Sequence, residues 1–146
     1  MLFIKKKKII TLLYACILSM VFSQLAAYAR TDEIQPRASE YIRSTSVTMT
    51  PMGDGVLLLQ NKLGATGVVD KLGIISLEVQ TKTHGYWDSI YTIVTDDYLY
   101  DTGTYIYDCY YDGTAGTEYR SYVEFYVEKD GGSEIKIVTS SPQTAE

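Results

Sequence analysis

From Tyr119 to Glu128 the chain alternates with period two. Tyr119, Ser121, Val123, Phe125 and Val127 fall on one side, and Arg120, Tyr122, Glu124, Tyr126 and Glu128 on the other. Only an extended strand sends successive side chains to opposite faces, so this segment predicts a strand with a core face and a water face. Gly73–Thr81 repeats the pattern, with Ile75, Leu77 and Val79 expected inward and Ser76, Glu78 and Gln80 outward. Leu57, Leu59, Asn61 and Leu63 mark another strand, and Thr45, Val47 and Met49 one before it. Trp87–Val94 and Thr104–Tyr111 are rich in aromatic and β-branched residues, as strands are. Glu134–Thr139, carrying Ile135 and Ile137, supplies the last.

Turn chemistry separates these runs. Breakers stand at Pro51-Met52-Gly53-Asp54-Gly55, Thr83-His84-Gly85, Asp101-Thr102-Gly103, Asp112-Gly113-Thr114-Ala115-Gly116 and Asp130-Gly131-Gly132. Asp-Gly and Gly-Gly between alternating segments are hairpin signals, because both central residues of the favoured turn need positive φ. Only Val68–Gly73 reads as a brief helical turn. About seven short strands with regular turns predict an all-β, antiparallel sandwich of the immunoglobulin-like or fibronectin type III-like kind.

The first residues belong to a different regime. Lys5–Lys8 precede an apolar run from Ile9 to Phe22, and Ser23-Gln24-Leu25-Ala26 leads into Ala27-Tyr28-Ala29. A basic start, an apolar stretch and a small-x-small site in that order predict a signal peptide over 1–29, with Ala27 and Ala29 marking the cleavage site. An uncleaved anchor would use Ile9–Leu25, at the short limit for a bilayer span. Lipidation at Cys16 is a further alternative, with Tyr14 a poor fit to a lipobox. No second hydrophobic stretch and no wall-sorting motif follows, so the expected product is secreted. Polar residues 30–38 read as an exposed leader, 39–140 as the sandwich domain and 141–146 as a short tail.

Removing 29 of the 146 residues takes away four of the 13 Lys and Arg and none of the 18 Asp and Glu, leaving a formal net charge of −9. An acidic domain whose basic residues are scattered singly argues against nucleic acid as a partner. Cys109 is the one cysteine left, so no internal disulfide can form and the domain must rest on its hydrophobic core.

Two resemblances extend this reading. Gly116-Thr117-Glu118-Tyr119, followed by Val123-Glu124-Phe125, resembles the sixth strand of fibronectin type III domains; Ala115 stands where that family has proline. The resemblance implies that Tyr119 forms a tyrosine corner, its hydroxyl bonding back to the backbone. Gly131-Gly132-Ser133-Glu134 and the strand after it look like that family's final hairpin. The chain is also similar to a family of small secreted proteins of clostridia-like Gram-positive bacteria, known as a domain of unknown function. The similarity is carried by Arg37-Ala38-Ser39-Glu40-Tyr41-Ile42, by Gly67-Val68-Val69-Asp70-Lys71-Leu72-Gly73 and by the Gly116–Tyr126 strand. It implies no activity.

Catalytic chemistry finds little support. His84, the only histidine, sits in a turn, and its neighbours Asp88 and Ser89 are near in sequence rather than by any geometric requirement of a triad. Asp96, Asp97, Asp101, Asp108, Asp112 and Glu124 could pair for glycoside hydrolysis, but none lies in the apolar setting that tunes an acid catalyst. Asp96-Asp97 with Asp101 could contribute to a calcium loop but lacks the spaced ligands of an EF-hand. Cys109 shares a face with Tyr105, Tyr107 and Tyr111; it reads as a buried thiol, with an intermolecular disulfide as the alternative. No catalytic residue, cofactor or metal is expected.

The 12 tyrosines left after Tyr14 and Tyr28 depart are the unusual feature. Tyrosine is a good strand former, and scattered surface rings are ordinary. On a rigid sheet, however, it also makes a low-entropy contact surface. Tyr122, Tyr126 and Trp87 are therefore the expected binding face of a non-catalytic module, directed at an extracellular protein or cell-surface component. The alternative is a carbohydrate-binding module stacking sugars on the same rings, and a small hydrolase is the remotest reading.

Overall fold

Three two-residue turns fix how the strands pair. At Asp54-Gly55, His84-Gly85 and Asp130-Gly131 both residues have positive φ, between 51° and 90°. That is the primed-turn geometry whose twist matches antiparallel strands, and glycine at the second position carries no steric cost. In the computed structural model, which describes residues 39–146, they join β1 (Ile42–Gly53) to β2 (Val56–Thr83), β2 to β3 (Tyr86–Asp112), and β4 (Glu118–Lys129) to β5 (Gly132–Thr139). A two-residue β6 (Gln143–Thr144) completes the set. The expected signal peptide with Ala27 and Ala29, Cys16 and the 30–38 leader lie outside the described residues.

The described residues form one antiparallel sheet, ordered β1-β2-β4-β5, with β3 on the other side of β2 and β6 beside β4. This differs from seven short strands in two sheets. The segments expected as Leu57–Leu63 and Gly73–Thr81 are the two halves of β2, and Trp87–Val94 and Thr104–Tyr111 are the two halves of β3. The turn expected at Asp101-Thr102-Gly103 and the helical turn expected at Val68–Gly73 are both strand. The hydrogen-bonded ribbon runs through the breakers because it bends rather than ends there. Between Gly64↔Thr104 and Val69↔Thr102 the register slips, leaving residues 65–68 of β2 opposite Gly103 alone. Gly67 has φ 143°, and a Cβ on Gly103 would lie 2.5 Å from the Gly67 carbonyl oxygen, so this crossing admits no side chain.

The bend folds the ribbon back over itself. Tyr91 and Tyr111 lie on one strand, where a rise of about 3.3 Å per residue would hold them about 66 Å apart if it were straight. Their ring centroids are 6.0 Å apart. The first half of β2 therefore carries β1 on its flank, the second half carries β4 and β5, and the whole sheet curls into a half-barrel. β3 pairs with β2 alone and forms the open rim.

The concave face holds the core. Leu57, Leu59, Leu63, Leu72, Ile74, Leu77 and Val79 of β2 pack with Val123, Phe125 and Val127 of β4 and with Ile42, Val47 and Met49 of β1. All five residues placed on the inner face of Tyr119–Glu128 are buried. In the second half of β2 the phase shifts: a bulge between Ile74 and Ser76 turns Ile74 inward and leaves Ile75 half-buried, where the alternation placed Ile75 in the core. Ile135 and Ile137 of β5 are 58% and 55% exposed; Val138 makes that strand's core contact.

Three polar devices close the curl. Tyr119 is 4% exposed and its hydroxyl accepts a hydrogen bond from the Thr114 N–H, 2.9 Å away, holding the β3–β4 connection to the strand it enters. Glu134 on β5 accepts from the Tyr41 and Ile42 N–H groups at 2.9 and 3.1 Å and from the Ser39 hydroxyl, tying the start of β1 to β5. The last residues run beside the β3–β4 connection: Ala145 donates to the Thr117 carbonyl and accepts from the Gly116 N–H, and Ala145 is buried.

Candidate functional site

Register decides which side chains meet on the convex face. Across β3, β2, β4 and β5 one row reads Tyr98, Gly73, Tyr126 and Ile135, and the next reads Thr95, Ser76, Glu124 and Ile137. Tyr122 stands beside Glu78 and Thr139, and Trp87 opposite Lys82. Tyr122, Tyr126 and Trp87 therefore share the convex face of the same half of the sheet, all three half-buried.

The rings of Trp87, Tyr98 and Tyr126 have partners from their own protein. The Arg120 guanidinium lies 4.5 Å above the Trp87 ring, and its Nε donates to Gln80 Oε1 at 2.8 Å, which fixes the guanidinium in place. Lys82 Nζ approaches the same ring at 5.9 Å. Lys71 Nζ sits 3.8 Å over Tyr98 and 5.3 Å from Tyr126, within cation–π range of both. Tyr98 and Tyr126 meet edge to face, 5.8 Å apart, across the bare backbone of Gly73. A Cβ at Gly73 would collide with the Asp97 carbonyl, so no side chain covers this row and the two rings do so instead.

The phenol hydroxyls are engaged too. Tyr122 donates to Glu124 at 3.1 Å, Tyr126 to Glu128 at 2.9 Å and Tyr98 to Asp96 at 2.8 Å, each partner two residues away. Burial and the bond to Asp96 push the Tyr98 phenol up to about 12. Burial and the Glu124 bond raise Tyr122, and the Glu128 bond followed by burial raises Tyr126. A raised phenol stays a neutral donor at physiological pH, so the face is a fixed set of rings and cations with paired carboxylates. Its open apolar side chains are Ile135 and Ile137, beside Tyr126 and Glu124, and Tyr100, which stands opposite Lys71 and is 65% exposed.

The other sequence candidates are dispersed or occupied. His84 is exposed in the β2–β3 turn, and the Ser89 hydroxyl bonds Glu78, not His84. Asp97 accepts from the Tyr105 hydroxyl at 2.8 Å, and Asp96 and Glu124 are bonded by tyrosines as above. Among the described residues no three His, Cys, Asp or Glu side chains gather as a metal site. Cys109 faces the concave side, half-buried at the rim and not fully buried as expected; burial and the Asp108 charge raise its thiol, which keeps it protonated and unreactive. A shallow depression of about 300 Å³ lies between β1 and β6, lined by Val47, Thr48, Met49, Thr50, Ser141 and Gln143, with no carboxylate, imidazole or thiol among these residues.

Lys71, Tyr98, Arg120, Ile135 and Ile137 complete the convex face, and the sequence did not point to them as binding residues. Arg120 shares its strand face with Tyr122 and Tyr126 by alternation, and the other four join them only through strand register. The chain matches no family model, no curated protein and no solved structure.

Proposed function

We propose that this chain is a secreted, non-catalytic binding module. Its first 29 residues act as a signal peptide cut after Ala29, and its convex face binds a protein at the cell surface. The reading extends to the small secreted Gram-positive family that the Arg37–Ile42 and Gly67–Gly73 motifs resemble. Its immunoglobulin-like or fibronectin type III-like character rests on the Tyr119 corner and the Gly131-Gly132 hairpin.

The observation that carries the choice of protein over sugar is the state of the rings. A sugar-binding strip presents bare aromatic faces for stacking. Here Arg120 covers a face of Trp87, and Lys71 lies over Tyr98 and near Tyr126. What lies open is a mixed patch of Ile135, Ile137, Tyr100 and paired charges, the composition of a protein-contact surface. The hydroxyl bonds hold the tyrosines in place, which lowers the entropy lost on binding.

The test is binding of purified residues 30–146 to a glycan array and to Gram-positive cell walls with and without protease treatment. Retention by untreated walls, loss after protease and no glycan signal is the expected result. Selective binding to one glycan class, abolished by Trp87→Ala, would overturn it in favour of a carbohydrate-binding module.

A further inference from the structure

We infer that the free edge of β3, over residues 104–112, is a strand-addition site for an extended, basic polypeptide segment. This site is separate from the convex face of β4 and β5. β3 is hydrogen-bonded to β2 along one side only, and the opposite side carries no partner strand among the described residues. Such an edge presents a row of backbone donors and acceptors to an incoming strand.

Charge selects the occupant. β3 carries Asp88, Asp96, Asp97, Asp101, Asp108 and Asp112 and no Lys or Arg. A second copy paired antiparallel along 104–112 would bring the carboxylates Asp108 and Asp112 of both copies onto one short ribbon with no cation from β3 between them, which repels. A cationic strand would be attracted by the same field. The edge is thus closed to self-association and open to a basic partner.

The two faces of the edge specify a pattern. On the convex side Ile106, Asp108, Tyr110 and Asp112 alternate, with Ile106 57% and Tyr110 66% exposed. A Lys or Arg stem can lie along Ile106 or Tyr110 while its charge reaches Asp108 or Asp112. On the concave side Tyr107 and Tyr111 are half-buried at the rim and pack against the core cluster, leaving apolar ring surface for an apolar side chain. An added strand should therefore alternate basic and apolar residues, its basic side convex and its apolar side over the rim.

The experiment titrates the purified chain with a decapeptide of alternating Lys and Val, following affinity and amide hydrogen exchange. Three controls accompany it: the same peptide with alternate backbone amides N-methylated, a Glu/Val peptide, and the Asp108→Asn/Asp112→Asn variant. Saturable binding with slowed exchange in residues 104–112 is expected. Affinity should weaken at least tenfold on N-methylation and severalfold in the variant, and the Glu/Val peptide should not bind. Equal binding of the N-methylated peptide would reduce the effect to diffuse charge and overturn the inference. So would dimerisation of the chain through β3, seen as protection of 104–112 that grows with protein concentration. The convex-face variants Trp87→Ala and Ile137→Asp should leave this titration unchanged, so its outcome is independent of the wall-binding result.

Discussion

Replacing Glu134 removes the tie between the start of β1 and β5. Its carboxylate accepts from two backbone N–H groups, of Tyr41 and Ile42, and from the Ser39 hydroxyl. Burial pushes its pKa up, but these hydrogen bonds outweigh burial and hold the carboxyl below the usual glutamate value. Hydrogen bonds to a charged group contribute about 1.5–3 kcal/mol each when well made, and less in a set that is partly exposed and shares one acceptor. Glu134→Ala should therefore cost about 2 kcal/mol. For a domain of about 100 residues that is a fall in Tm of about 8–10 °C at pH 7. Because the folded pKa is lowered, the stabilisation is present above the unfolded value and is lost as the pH falls through the folded one. The gap between parent and variant, read by calorimetry from pH 7 down to pH 3, should close in acid. A variant within about 2 °C of the parent at pH 7 would refute the tie, since the predicted loss is several times larger. A gap that persists at pH 3 would mean that packing, not the charged acceptor, is responsible.

Other outcomes follow from the same geometry. Tyr119→Phe leaves the Thr114 N–H without its acceptor and should lower stability by about 1 kcal/mol or more in urea unfolding; an unchanged midpoint would remove the corner bond from the explanation. Gly73→Ala places a Cβ against the Asp97 carbonyl and the Tyr98 backbone, so a loss of about 1–3 kcal/mol is expected, and a neutral result would mean that the β2–β3 crossing yields easily. The Tyr98 phenol, raised to about 12, stabilises the fold fully below the unfolded tyrosine value of about 10, and that contribution is lost as the pH rises through 12. Tyr105, Tyr122 and Tyr126 are raised as well, so ultraviolet titration should show several late phenols and one fewer of them in Tyr98→Phe; an unaltered curve would refute the assignment.

The all-β class was legible because alternation and turn chemistry are local. Tyr119–Glu128 holds no inserted residue of its own, the bulge in its pairing lying on β2, and it buries every side chain expected to be inside. The three positive-φ turns were likewise written in His84-Gly85, Asp54-Gly55 and Asp130-Gly131. What was not legible is where a strand bends without ending. Asp101-Thr102-Gly103 reads as a turn because its residues are turn formers, and Asp101 does adopt φ 52°, but as an irregularity inside β3. The Ile74/Ser76 bulge is equally silent, since one inserted residue shifts the phase and leaves composition untouched. The convex face was half visible: Tyr122 and Tyr126 follow from alternation within one strand, whereas Trp87 joins them only through the long pairing of β2 with β3. Ile135 and Ile137 mark β5 as a strand, but composition alone does not say that they stand on the outside of the curl.

The most direct test of the convex face as a protein-binding surface compares two substitutions in one assay. Ile137→Asp introduces a charge at a side chain 55% exposed, and Trp87→Ala removes the ring under Arg120. Binding of each purified variant to the protease-sensitive component of cell walls is measured beside its Tm. A loss of at least tenfold in Ile137→Asp with an unchanged Tm is the expected result. Parent-like binding of Ile137→Asp, with loss confined to Trp87→Ala and insensitive to protease, would contradict protein recognition and return the face to carbohydrate.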